Sequence, residues 1–453
     1  MLALDEEVAQ VAQQPTAERV KALKRIIPCS TIKAILKKGG HDRHCRRLPK
    51  WFMVWFVIAM GLFATDCYRQ IFRWLQRFRK KATPLRTTLC EARQRLGVAP
   101  LRWLMEGVVK LLATAKTPDA FYRCWRLMAV DGFVVDLPDT PDNDRIFGRP
   151  KGGRTPGAFP QARVLALCEI GTHVLWKCLI KPIRRAEAIM VKVLLRHLTA
   201  DMLLLWDRGF LSYRNLQCLL TQKAQLLARI KKNLVFSKLE VLRDGSYLAK
   251  LYPSSWYRRN DRQGILVRII EYTFHDPGRP GSGETHRLLT TLLDARLDPA
   301  KRLIELYHER WEEELAIDEL KTHQRQRPVL RSQTPAGVIQ EIYGLLLAHF
   351  VVRSLMFEAA SQQKLPPRRL SFTGPLKILR CRLPECPRSV PGRERWYKNL
   401  LAEIAEETLE ERRNRINPRV IKCKMSKWRK KKAEHRHYPQ PTKQFGKSLE
   451  ILC

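Results

Sequence analysis

The spacing of apolar residues changes twice along this chain, and each change predicts a different local structure. Over about the first 120 residues it is helical. Residues 18–27 and the region 51–78 predict helices, separated by a basic loop at 37–50. The run 51–64 is almost wholly apolar and is closed by Asp66, short for a membrane span and suited to a buried helix. Thr88-Leu89-Cys90-Glu91 predicts a capping box opening a short helix that Gly97 ends, and Pro100 then starts another. Two short helices around a glycine turn, with Arg93 and Arg95 just before it, could form a helix-turn-helix reader, though such a pair is more often plain helical packing. No base-reading pattern chooses between them.

From about residue 122 the texture becomes mixed. A strand is predicted over 127–137, two β runs within 162–180 around Gly171, a helix over 184–197, a fully apolar strand at 202–206 and a helix over 213–223. That order describes an α/β layer fold. Short strands follow at 226–230, 246–251, 264–274 and 286–293, with a Gly- and Pro-rich loop at 275–284 expected to be a mobile hairpin tip. This β segment, about 225–297, has the character of an insertion. Beyond it one long helix is predicted over 299–327, and Thr334-Pro335 caps another running to about 357. Proline and basic residues accumulate from 362, and the stretch 412–447 is dominated by Arg and Lys, with Trp428 and Tyr438 inside it. Such a stretch is either a solvated tail or a DNA-binding element, and the two aromatic rings favour nucleic acid.

At 453 residues the chain is long enough for about two to four domains. The expected division is a helical N-terminal DNA-binding part at 1–120, a catalytic part at 121–360 and a basic C-terminal region at 361–453. Charge narrows the function. Lys and Arg number 84 against 44 Asp and Glu, a formal net charge of +40. A protein this basic is relieved by a polyanion, and nucleic acid is the leading partner, ahead of an anionic membrane surface. The 12 Cys form no C-x-x-C pair, which argues against a zinc ribbon and for reduced thiols. The acidic start MLALDEEVAQ has no signal-peptide pattern, so a cytoplasmic address without a membrane partner is expected.

Cleaving and joining phosphodiesters requires charge neutralisation and a deprotonated oxygen, which two Mg²⁺ about 4 Å apart supply. The ligands of so hard an ion are carboxylates. Asp131 lies inside the apolar run Met128-Ala129-Val130-Asp131-Gly132-Phe133, where a carboxylate is costly unless a cation binds it. Asp207 ends the strand Leu203-Leu204-Leu205-Trp206, and ligands gather at such carboxyl ends. Each also has a plainer reading: Asp131 capping a turn at Gly132, and Asp207 capping the next helix. The third element runs from Tyr307 to Lys321. On one continuous helix, Tyr307, Arg310, Glu314 and Lys321 fall within about 60° of one another, a carboxylate flanked by a phenol and two cations. Ordinary surface ion pairs would give the same stripe. Glu312, Glu313 and Glu319 point elsewhere and are expected on a solvated face. Asp318 projects near Glu314, and the helical wheel does not choose between them.

The pattern Y-x2-R-x3-E-x6-K resembles the signature of DDE transposases of the insertion sequence 4 family. Other stretches agree in order: Asp131-Gly132 with 136–141 and Phe147-Gly148, then Trp206-Asp207-Arg208-Gly209-Phe210, then 330–335 with Gln340-Glu341. Arg47-Leu48-Pro49 and 92–97 are similar to the family's helical N-terminal region. The resemblance implies an RNase H-like catalytic core interrupted by a mostly β insertion, with Asp131, Asp207 and Glu314 as the metal-binding triad. It selects Glu314 over Asp318. It further implies Mg²⁺, with Mn²⁺ as a substitute, and phosphate contacts from Tyr307, Arg310 and Lys321. The implied partners are double-stranded DNA, as element ends and target, and a second copy when two ends are synapsed. The implied setting is a bacterial, nucleoid-associated one. One departure stands out. Family members that pass through a DNA hairpin stack a flipped base on an insertion-domain Trp shortly before the Glu helix; here that strand begins His286-Arg287-Leu288, and Trp256 is not equated with that role. The competing functions are an inactive, DNA-binding descendant and a host nuclease without strand transfer; cleavage and joining assays on element ends separate all three.

Overall fold

Eleven consecutive residues without a polar side chain leave a helix no solvated face, and Phe52 to Leu62 are all buried in the helix Lys50–Leu62. The computed structural model containing it describes residues 23–40, 48–76, 82–152, 155–231, 233–276, 278, 281–387, 389–410, 420–421, 429–430, 441–442 and 444–452. Two units divide the chain: Met1–His197 with Glu312–Thr408, and Leu198–Trp311 with Leu409–Cys453. Most of the basic stretch 412–447, with Trp428 and Tyr438, lies outside the described residues.

The first unit opens with α1 (Cys29–Lys38), α2 (Lys50–Leu62), α3 (Tyr68–Leu75), α4 (Arg86–Leu96) and α5 (Ala99–Val108). Helix α4 begins two residues before the expected capping box, and no side chain caps its start. Gly97 ends it in the left-handed region, at φ +72°. Strand β1 (Trp125–Asp136) then pairs antiparallel with β2 (Gln161–Glu169), which pairs antiparallel with β3 (Val174–Pro182). Two further helices belong to this stretch, α6 (Pro141–Phe147) between β1 and β2 and α7 (Glu187–Leu195) after β3.

The second unit begins with β4 (Met202–Trp206), every residue of which is buried. Helix α8 (Tyr213–Thr221) returns the chain so that β5 (Gln225–Arg229) lies parallel to β4. The sheet continues antiparallel in the order β5, β8 (His286–Thr290), β7 (Ile265–Phe274) and β6 (Tyr247–Leu251). A late strand, β9 (Leu449–Ile451), adds to the end of β7 at Tyr272–Phe274. Helix α9 (Ala300–His308) closes the unit, and Phe445 packs edge-on to the His308 ring at 3.5 Å between centroids.

The long helix expected over 299–327 is three segments. After α9, Glu309 and Arg310 bond back three residues, to Leu306 and Tyr307, and break the α ladder. Helix α10 (Trp311–Asp318) follows and passes into a π-helical turn, Glu319–Gln324. In such a turn residues five apart lie over one another, so Glu319 and Gln324 face the same interior. Gln324 uses that position to donate to Gly61 O at 3.2 Å and Leu345 O at 2.9 Å.

Helix α11 (Pro335–Gln362) is capped by Thr334, whose hydroxyl accepts from Gly337 N at 3.3 Å. It is long and apolar enough to cross a membrane, but its apolar window is 78% buried within the fold, as a core helix is. It crosses α2 at a glycine contact. A Cβ placed on Gly61 would stand 2.3 Å from Gly344 O, and one on Gly344 would stand 2.4 Å from Val57 O. Only glycines let these backbones approach so closely. Helices α12 (Thr373–Arg382) and α13 (Val390–Glu406) complete the same core.

Candidate active site

Asp131 sits in β1 opposite Ala166 of β2, half-buried after four fully buried residues. Gly132 N donates to its Oδ1 at 2.7 Å. The strand runs straight through Gly132 to Asp136, so Asp131 does not cap a turn. Asp207 follows the last residue of β4 and accepts from Arg208 N at 2.8 Å. It is not the cap of α8, since Ser212 fills that position by accepting from Asn215 N at 3.2 Å.

The second unit brings three of the sequence-derived residues together. The Tyr307 hydroxyl donates to Trp206 O at 3.3 Å, placing the phenol at the carboxyl end of the strand that leads into Asp207. Burial pushes the Tyr307 hydroxyl well above its ordinary value, against the opposing pull of Arg310 and with a further push from Asp207. Tyr307 therefore acts as a neutral hydrogen-bonding group. Arg310 is half-buried, with its guanidinium 6.0 Å from the Trp311 ring centroid.

In the first unit, Glu314 lies half-buried on α10 and Lys321 is exposed on the π-helical turn. The stripe of Tyr307, Arg310, Glu314 and Lys321 thus comes from a helix, a turn, a second helix and a π-helical turn rather than from one continuous helix.

The neighbouring acids correct the sequence reading more sharply. Glu312, Glu313 and Glu319 were expected on a solvated face, yet they are 3%, 0% and 7% exposed. Glu312 is 200° from Glu314 on an α-helix, so it turns inward as Glu314 turns out. It meets His173, from the turn between β2 and β3, at 2.8 Å from Nε2. Glu319 Oε1 lies 2.8 Å from His173 Nδ1. Its other oxygen accepts from Arg353 Nε at 2.8 Å and is 3.1 Å from His349 Nε2; Arg353 Nη2 also donates to Oε1. Burial alone would raise the Glu319 carboxyl, but Arg353 and His173 overcome it and hold the group well below the usual carboxylate range. Sequence reasoning missed this network. A signal was available: His349 and Arg353 are one turn apart in the otherwise apolar α11, where two polar side chains need a buried partner.

The residues after the Glu helix stitch the first unit. Arg331 donates to the carbonyls of Met60 at 3.2 Å, Ala64 at 2.7 Å and Asp66 at 2.9 Å, while its Nε bonds Glu341 at 3.1 Å. Arg93 donates to Gln340 Oε1 at 2.9 Å and Ser332 Oγ at 2.8 Å, and Gln340 Nε2 returns a bond to Arg93 O at 2.9 Å. Arg93 is 4% exposed and fully engaged inside the protein, which removes it as a reader of bases. Arg95, one face away, is half-exposed.

Asp131, Asp207 and Glu314 are carboxylates, each part-exposed, the ligand type a hard divalent ion takes. Among the described residues no group of three or more His, Cys, Asp or Glu is placed to hold a metal ion. Mg²⁺ does not demand such a cage. It binds through one or two carboxylates and completes its shell with water and substrate phosphate.

Comparison with known proteins agrees with the sequence reading. Residues 17–106 match the family model described as the insertion element 4 transposase N-terminal region, and residues 123–351 match the transposase DDE domain. Transposase InsG for insertion sequence element IS4, from Escherichia coli (strain K12), is 30% identical over 400 residues, 86% of this chain and 89% of that protein. The putative transposase InsZ of the same organism is 26% identical over 188 residues, 41% of this chain and 62% of that protein. A cryo-EM structure of the piggyBac transposase synaptic complex with hairpin DNA aligns with a TM-score of 0.44 at 14% identity, covering 88% of this chain and 86% of that one. The chain belongs to the insertion element 4 family of DDE transposases.

Proposed function

We propose that this DNA transposase cuts the ends of an insertion sequence and joins them to target DNA through Asp131, Asp207 and Glu314. Its family catalyses DNA cleavage and strand transfer and depends on a divalent metal. The catalytic part, 121–360, is read as an RNase H-like core with a β insertion, flanked by a helical DNA-binding part at 1–120 and a basic region at 361–453. Mg²⁺ is the ion proposed, with Mn²⁺ as its substitute. When bound, it supplies charge neutralisation at the scissile phosphate and acidifies a water at that centre.

The protein's own groups divide the remaining work. Asp131 and Glu314, in the first unit, and Asp207, in the second, would supply carboxylate oxygens to the ion. Arg310 and Lys321 take phosphate oxygens of the element's end, and the neutral Tyr307 hydroxyl exchanges its bond to Trp206 O for one to a phosphate oxygen when the end binds. The same site serves hydrolysis first and transesterification second, because a freed 3′-hydroxyl takes the place of water as nucleophile. A second copy is needed to pair the two ends, and the cytoplasm is the proposed setting.

The observation that carries this reading is the Tyr307 hydroxyl bonded to Trp206 O, beside Asp207 and Arg310. It brings the Tyr307 end of the Y-x2-R-x3-E-x6-K motif to the strand terminus that leads into Asp207, which supports the reading. The test is end cleavage on a labelled duplex carrying the terminal repeat beside the coding sequence. Asp131→Ala, Asp207→Ala and Glu314→Gln should each abolish nicking in Mg²⁺ and in Mn²⁺ while retaining binding to the duplex. Nicking by Asp131→Ala would overturn the assignment.

A further inference from the structure

We propose that His173 is a positioning residue for the transposition reaction, holding the helix that presents Glu314 from its buried side. This rests on the reading of Glu314 as a metal-binding carboxylate. Three observations carry it. His173 is 2% exposed and places its two ring nitrogens 2.8 Å from Glu312 and 2.8 Å from Glu319, so one ring ties both ends of the segment around Glu314. Glu312 and Glu314 lie on opposite faces of α10, so fixing the first fixes how the second projects. The Glu319 end is anchored in turn by Arg353 and His349 from α11, a rigid core helix.

The position of His173 supports the same role. It stands in the turn between β2 and β3 at φ +58°, in the left-handed region. That turn joins β3 to β2, the strand paired with β1, which carries Asp131, so the ring ties the Glu314 segment to the hairpin whose first strand lies against the Asp131 strand. The bond thus sets one metal-binding carboxylate against the framework of another within a single unit. Groups standing behind ligands in this way typically change metal affinity or activity by 10–100-fold when removed.

The test uses the full-length protein. His173→Asn suits the left-handed backbone, keeps an amide within reach of Glu319 and is too short for Glu312. Mn²⁺ binding is read from the loss of the free-ion electron paramagnetic resonance signal. The cleavage rate is read as a function of Mn²⁺ concentration, and thermal melting is recorded alongside. The expected result is a melting point within a few degrees of wild type and Mn²⁺ affinity weakened by about tenfold. The cleavage rate should return to within a few-fold of wild type at saturating Mn²⁺. Glu312→Gln, which keeps the bond to His173, should stay close to wild type in affinity.

Unchanged Mn²⁺ affinity and rate in His173→Asn would overturn the proposal. So would a loss of cleavage that only follows the unfolded fraction, since that marks a purely structural residue. Glu314→Gln runs in parallel: if it binds Mn²⁺ and cleaves normally, the metal-binding reading of Glu314 fails, whatever His173→Asn does.

Discussion

Replacing Arg353 by Met tests the buried network quantitatively. The guanidinium donates through two nitrogens to Glu319, and side-chain exposure is 1% for the arginine and 9% for the glutamate. Methionine fills much of the same volume and removes the charge, leaving a buried carboxylate with only imidazole partners. Breaking one side of a buried ion pair costs about 3–5 kcal/mol, which for a unit of this size lowers the melting point by about 10 °C. The pH dependence carries the sharper signature. In the wild type the folded-state Glu319 carboxyl is held well below its ordinary value of 4.5, by Arg353 and His173 acting against burial. Its contribution is therefore present above pH 4.5 and is lost as the pH falls through the depressed folded value. Without Arg353, burial dominates and the carboxyl rises. The stability gap should be widest near neutrality and should close as the pH drops below 4.5. Urea unfolding followed by tryptophan fluorescence at about pH 7 and about pH 4 measures it. A variant melting with the wild type at neutral pH, or a gap that widens in acid, would refute the reasoning.

Gly344→Ala forces a methyl group against the backbone of α2, and a loss near the top of the overpacking range, about 3 kcal/mol, is expected by calorimetry; a neutral effect would mean the helices separate easily. Tyr307→Phe removes the bond to Trp206 O, so it should cost no more than about 1 kcal/mol of stability and weaken binding to an end-bearing duplex a few-fold in a gel-shift titration. Unaltered end binding would take Tyr307 out of the DNA interface. Arg93→Leu should lower stability by about 3 kcal/mol and leave the salt slope of DNA binding on the folded fraction unchanged, because the side chain is spent on Gln340 and Ser332. A shallower slope would show that Arg93 reaches a phosphate.

Strands were the most legible part of the fold. The apolar run 202–206 folds as β4 with those bounds, and the two runs flanking Gly171 become β2 and β3, because short Leu- and Val-rich segments have few other ways to hide. Thr334-Pro335 opens its helix as read, since a hydroxyl before proline supplies the missing acceptor. The Thr88–Glu91 box failed because α4 starts earlier, at Arg86, without a side-chain cap. The broken Glu helix was invisible for a different reason. Its residues are good helix formers throughout, and what widens the last turn is the inward pull on Glu319 and Gln324 by partners far away in sequence. The acids of the candidate site were legible through their apolar context and the family pattern. The buried His173 ring was not, because it precedes its partners Glu312 and Glu319 by well over a hundred residues and no local periodicity marks it.

The glycine-to-glycine crossing of α2 and α11 has a practical consequence for redesign. Exchanging the N-terminal segment of one relative for that of another transplants one half of a fitted joint whose other half lies beyond residue 335. A working chimera must carry both helices across together. A graft that stops short of the second helix would present mismatched side chains where two bare backbones now touch.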